Sequence, residues 1–241
     1  LPEPDSLSLY LDAGRQTVSP AQIPALLPQC DLIFTSFDQG QYRGHAKNLA
    51  IPQTAVHVTT SSYGATGPYA AWRGGSLADW AAGGYLFITG DADREPLSGP
   101  ENLCAYAAGY TAAAGAEAAL IDRMRTGQGR HLDISTMESM LLLHQSTFAR
   151  TAAGDLRRRT GRYTEVYPLT VLPCASGHVS LGVVTDAEYD KFCIAIGRPE
   201  LSVDPRFATR EARWADRDGF DSEIASFLLS HSADDVVDIL Q

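Results

Sequence analysis

Lysine is nearly absent: of the 19 basic residues only Lys47 and Lys191 are lysine, the remainder being arginine. Basic charge is short altogether, with 29 Asp and Glu against 19 Lys and Arg and a formal net charge of -10. Such a chain is repelled at long range by nucleic acid and by anionic membrane, which excludes both as main partners, and any anionic ligand then needs a local basic patch. No apolar run approaches the length needed to cross a bilayer. The start, Leu1-Pro2-Glu3-Pro4-Asp5, has neither the basic nor the apolar region of a secretory signal, so a cytoplasmic setting is expected. Cys30, Cys104, Cys174 and Cys193 are far apart and make no C-x-x-C pair, which argues against a disulfide framework or a zinc site and for buried thiols. There is no P-loop, no G-x-G-x-x-G, no H-E-x-x-H and no G-x-S-x-G. Neither a metal nor a permanently bound cofactor is expected.

What the chain does have is 44% hydrophobic residues over 241 positions, enough for one large globular domain or two modest ones. Apolar runs at Leu7 to Leu11, Asp31 to Phe37 and Ala55 to Thr59 predict short strands, the second a candidate for burial on both faces. SPAQIPALLPQ, between the first two, has helical length but carries Pro24 and Pro28; a mid-helix proline costs about 3 kcal/mol, so a short or broken helix is expected. Ser98 and Glu101 have capping-box spacing around Pro100, and a helix is expected from there to Gly127, with Arg123 and Arg125 complementing its dipole. The stripe Ala105, Gly109, Ala112, Ala116, Ala119 is almost without bulk, so a helix, a strand or a ligand packs close to that face.

Arg130 to Ser135 alternates as a strand, and Thr136 to Phe148 reads as an apolar helix. Gly154 to Arg162 (GDLRRRTGR) reads as a solvated basic connection and as the boundary between two substructures. Beyond it, a strand is expected over His178 to Val184, a helix over Asp186 to Ile196, and two helices over Arg210 to Leu240, broken around Ser230 to Ser232. The mixture predicts an α/β fold with a mainly parallel sheet and a smaller second lobe, divided as residues 1–160 and 161–241.

Several segments, in order, resemble the family III CoA-transferases, the carnitine dehydratase and bile-acid-inducible type that includes formyl-CoA transferase and alpha-methylacyl-CoA racemase. SSYGATGPYA (Ser61 to Ala70) is similar to the family's Gly-rich turn after a strand, and RTGQGRHLDIS (Arg125 to Ser135) to its most recognisable signature. IGRPELSVDPRFATREARWADRD (Ile196 to Asp218) is similar to its small-domain segment, and LDAGRQTV (Leu11 to Val18) to its early basic turn. The resemblance implies a Rossmann-like large domain, a small α/β domain, interlocked dimers with active sites between subunits, and acyl-CoA thioesters as substrates. It also implies that the family's first βα unit and its C-terminal return segment are missing here, so that this is a piece of a longer polypeptide or other chains supply the missing wall.

In the family an aspartate attacks the thioester to give an enzyme-bound anhydride and then an enzyme-CoA thioester. Counted back from Gly115, that aspartate falls on Ala105, or on Cys104 if the register slips by one. A methyl group has no lone pair, so the standard mechanism does not run from this position. Glu101 and Cys104 remain as candidates, the first already explained by a capping box and the second without visible activation. The racemase pairing fails as well, since Gly75 stands in place of its histidine. For CoA itself the resemblance implies Arg15 on phosphate, Ser36, Phe37 and Tyr63 along the cleft, and Arg162 in a loop at its border; for the aromatics, ordinary core packing is the competing explanation.

The expected function is thus that of a non-nucleophilic half of a fused or hetero-oligomeric CoA-transferase, pairing as a homodimer or as a heterodimer with an intact copy. The alternatives are an active transferase or hydrolase with a displaced nucleophile, and a non-enzymatic acyl-CoA-binding or structural subunit.

Overall fold

The structure is a computed structural model that describes residues 10–36, 49–100, 102–163 and 166–241. Phe37 and Glu101 lie outside those residues, as does most of the strand expected from Leu7 to Leu11. In chain order the elements are α1 (Ile23–Leu26), β1 (Leu32–Ser36), β2 (Val56–Ser61), α2 (Ser76–Ala82), α3 (Tyr85–Ile88), α4 (Leu103–Thr126) and β3 (His131–Ser135). Then follow α5 (Thr136–Leu143), α6 (Gln145–Ala152), β4 (Leu169–Cys174), β5 (Gly177–Gly182), α7 (Asp186–Ala195), α8 (Arg210–Ala215), α9 (Arg217–Ser230) and α10 (Ala233–Leu240). No helix among the described residues is long and apolar enough to cross a membrane. The fold is mixed α/β.

The chain divides into two compact units. The first takes the described residues up to Tyr85 together with Ser98–Leu156, and holds a three-stranded parallel sheet in the order β1-β2-β3. Its central strand is the one buried on both faces: Val56, His57, Val58 and Thr59 are all buried. The sequence points instead to β1, but β1 is an outer strand whose Phe34 is 53% exposed. Alternation along β2 sends Val56 and Val58 toward Ala112, Ala116 and Ala119 of α4. His57 and Thr59 therefore point to the opposite face. There His57 stacks on His131, its partner in register, at 4.9 Å between ring centres, and its Nε2 lies 2.9 Å from Thr35 Oγ1. Burial holds the His57 imidazole below its usual pKa, with His131 adding to the effect.

Proline acts where the sequence places it. Pro20–Gln22 and Leu27–Gln29 are 3₁₀ turns, with α1 a single turn between them. The long helix starts later than the capping-box spacing suggests: α4 begins at Leu103 after Asn102, not at Ser98. Pro100 disfavours helical conformation at Gly99, and Gly99 packs so closely on Trp80 that a Cβ would meet the indole at 2.3 Å. At the other end Gly127 closes the helix in the left-handed conformation, φ 70°, its N–H donating to the Arg123 carbonyl. Ser135 caps α5 by accepting from the Glu138 N–H, and His144 separates α5 from α6 where one helix is expected.

The second unit takes Leu86–Leu97 and Arg157–Gln241. Here β4 and β5 form an antiparallel pair, β4 being a strand the sequence reading omits. Around them α7 to α10 enclose a core that includes Tyr167, Tyr189, Phe207 and Phe220. Arg213 is 1% exposed within it; its guanidinium donates to the Tyr167 and Phe207 carbonyls and lies 3.9 Å from the Tyr189 ring centre. Three helices, not two, span Arg210 to Leu240, because Asp216 caps α9 through the Gly219 N–H and so starts a new helix there.

Candidate functional site

Position 105 lies in the first turn and a half of α4, and the small-residue stripe divides there. Ala112, Ala116 and Ala119 are buried against β2, whereas Ala105 and Gly109 are exposed. Further round the helix Tyr110 and Met124 are also open, at 77% and 86% exposure.

Cys104, one residue earlier, points the other way. It is buried and its Sγ lies 3.8 Å from the Ser76 carbonyl. Burial pushes the thiol up to about 11, and the nearby charge of Asp79 adds to the rise. At neutral pH its thiolate fraction is on the order of one in ten thousand, so the group is held as an inert thiol.

The residue that sequence reasoning misses is Asp79. It sits on α2, is only 6% exposed, and its Oδ1 has no hydrogen-bond partner. Burial raises its pKa, while hydrogen bonds from the Ser62 side chain and the Gly75 backbone pull the other way. Its charge raises both the Tyr63 phenol and the Cys104 thiol, in each case as a smaller cause than burial. The turn over it is drawn tight: a Cβ at Gly74 would stand 1.7 Å from Ser62 Oγ and 3.4 Å from Asp79 Oδ1. The Gly74-Gly75 pair leading into a helix is the signal in the sequence that could have pointed there.

Tyr63 follows the end of β2 and forms an aromatic group with Tyr69 and Trp72. Ser36 ends β1, exposed, opposite Thr60 in the register. Arg15 is exposed and already bound to Asp12 at 2.7 Å. Arg162 belongs to the second unit, where it pairs with Asp221 at 2.5 Å and donates to the Tyr163 hydroxyl. Arg73, next to Trp72, is exposed and has no acidic partner within salt-bridge distance among the described residues. Within the first unit the structure thus brings Cys104 against Ser76 and the Gly74 turn against Ser62 and Asp79, and leaves Arg15 on an exposed turn.

The basic connection is not simply solvated. Arg159 is half-buried, and its guanidinium donates to the carbonyls of Asp91, Leu86 and Arg94 at 3.0, 3.4 and 3.4 Å. No group of three or more His, Cys, Asp or Glu side chains among the described residues could hold a metal ion.

With that geometry in place, comparison with known proteins gives a consistent result. The sequence profile described as CoA-transferase family III matches residues 12–241. A succinyl-CoA–D-citramalate CoA-transferase of Chloroflexus aurantiacus is 34% identical over 222 residues, 89% of this chain and 55% of that protein. The BbsE subunit of the succinyl-CoA:(R)-benzylsuccinate CoA-transferase of Thauera aromatica is 31% identical over 136 residues, 56% of this chain and 33% of that protein. Among solved structures, a CAIB/BAIF family protein from Brucella suis superposes with a TM-score of 0.74 at 25% identity, over 91% of this chain and 60% of that one. The chain spans about half the length of the first of these relatives.

Proposed function

This chain belongs to CoA-transferase family III, and on that premise we propose that it is the non-nucleophilic, acyl-CoA-binding half or subunit of a fused or hetero-oligomeric CoA-transferase. The observation that carries this reading is the exposed methyl of Ala105 where the family's attacking aspartate would stand, next to a thiol held protonated. An exposed methyl leaves the site open to ligand yet supplies no group to accept an acyl chain. Arg73 supports the binding half of the reading, since an arginine without an acidic partner is available to a phosphate or carboxylate in a chain otherwise rich in acid. The open face of α4 with Tyr110 and Met124 supports a second polypeptide lying against it, either another copy or a catalytically intact relative. A relative named as a subunit of a CoA-transferase supports that arrangement.

A second reading rests on Asp79. In an active enzyme with a displaced nucleophile, the Asp79 carboxylate would attack the thioester carbonyl, the C–S bond would break, and CoA thiolate would leave behind an acyl-aspartyl anhydride. Its burial under the Gly74-Gly75 turn opposes this unless the turn opens. One experiment separates the two: CoA exchange between acyl-CoA and free acid, assayed for the purified chain with and without the polypeptide encoded beside it. Activity only in the combination is expected. Full exchange by this chain alone, with a mass adduct on Asp79, Glu101 or Cys104 after incubation with acyl-CoA, would refute the non-nucleophilic reading.

A further inference from the structure

We propose that Tyr63, Tyr69 and Trp72 form the seat for the acyl group of the bound thioester and select acyl groups that carry an aromatic ring; this rests on the acyl-CoA reading above. The argument starts from how the turn after β2 is built. The Ala70 N–H donates to the Gly67 carbonyl and the Trp72 N–H to the Tyr69 carbonyl, so two successive turns fold the segment that carries Tyr69 and Trp72. Their ring centres are 4.5 Å apart with the planes tilted by 47°. Tyr63 stands edge-on to both, at 6.4 Å and 66° to Tyr69 and at 6.1 Å and 79° to Trp72. Edge-to-face contacts of this kind fix ring orientation, and Tyr and Trp pay little conformational entropy when they hold a ligand.

The cluster is nevertheless open, with Tyr69 at 42% and Trp72 at 58% exposure. Two exposed rings on a third that is half-buried mark a surface that something apolar occupies. Its place identifies the occupant. The rings follow the carboxyl end of the central strand of a parallel sheet, which is where α/β sheets hold ligands. Gly74 packs on Ser62, the neighbour of Tyr63, and the Ser76 carbonyl lies 3.8 Å from Cys104 Sγ, so the segment that bears the rings lies against the start of α4, the turn that holds residue 105. That is the thioester end of the ligand, separated from the adenine end by the pantetheine arm. The buried Asp79, at the Gly74 turn that packs on Ser62, disfavours an anionic acyl terminus at this spot and favours a neutral ring.

Calorimetric titration of the whole protein with phenylacetyl-CoA, acetyl-CoA and free CoA tests the assignment. Phenylacetyl-CoA should bind roughly five- to tenfold more tightly than acetyl-CoA, the scale of one added aromatic pair. Trp72→Ala should bring the two thioesters within about twofold of each other while free CoA binds as before, and Tyr69→Phe, which keeps the ring, should retain the preference. Trp72 is largely exposed, so an unchanged melting temperature is expected to confirm that the variant is folded. Equal binding of the two thioesters by the unaltered protein overturns the inference and leaves the acyl-CoA reading standing. An equal loss for free CoA in W72A also overturns it, assigning the rings to adenine. Failure to bind any of the three compounds removes the acyl-CoA reading itself.

Discussion

Asp79 carries an unusual load for a side chain in a short helix, because one of its oxygens is enclosed without a partner. Below the ordinary carboxylate pKa, about 4, the group is protonated whether the chain is folded or unfolded, and its burial costs little. As pH rises past that value the unfolded chain ionises freely while the folded one resists, so stability is lost until the raised folded pKa has been passed. D79N removes the titration and keeps the shape. Melting curves of the two proteins from pH 4 to pH 8 should converge at the acid end, with D79N the more stable at pH 7; a wild type that gains on D79N with rising pH would contradict this account. Only the Gly74-Gly75 pair before the helix hints at Asp79, since by itself one acid in SLADWAA reads as an ordinary exposed position. The inertness of Cys104 was more legible, because no basic neighbour in the sequence offers to lower its pKa. The reading of Ala105 as the place of a missing carboxylate rests on the resemblance alone, as no periodicity announces one.

At the scale of elements, α4 shows what pattern reveals and what it conceals. A stripe of alanine and glycine predicts a close partner, and β2 is that partner for Ala112, Ala116 and Ala119. The stripe does not tell that its first two members are left open, because close packing and an empty site both call for small residues. A116L should therefore cost about 1–3 kcal/mol by overpacking against β2. A113L, on the exposed side, should fall within about 0.5 kcal/mol of wild type. Urea unfolding of the two variants measures the difference, and equal losses would mean that α4 does not seat on the sheet through Ala116. The start of α4 was misread because capping-box spacing competes with the restriction that Pro100 places on Gly99, and the restriction wins. The exchange of roles between β1 and β2 has a similar origin: both are short apolar runs, and only strand order decides which is central.

For the molecule as a whole, the division into two units turns on contacts that no local pattern can show. Residues 86–97 belong with the second unit, and Arg159 reaches the Leu86 carbonyl across 73 positions of sequence. A basic run such as GDLRRRTGR reads as a solvated loop because the acceptors it uses are backbone carbonyls, which every sequence has. Removing the Arg159 guanidinium leaves three carbonyls without their charged donor, a change worth about 1.5–3 kcal/mol. R159A should accordingly be cut within residues 86–97 by a protease at a concentration that spares the wild type, as read by mass spectrometry of the fragments. Cleavage at the same rate in both proteins would show that the guanidinium does not secure that segment.

Among the described residues the parallel sheet has three strands, and no further strand lies beside β1, which carries the exposed ring of Phe34. Peptide groups along such an edge hydrogen-bond with whatever extended chain arrives, so a newly synthesised molecule has a choice between its proper companion and its own neighbours on the ribosome. Produced by itself the polypeptide should tend toward insoluble material, and the soluble yield gained on co-expression with candidate companions offers a way to recognise the right one.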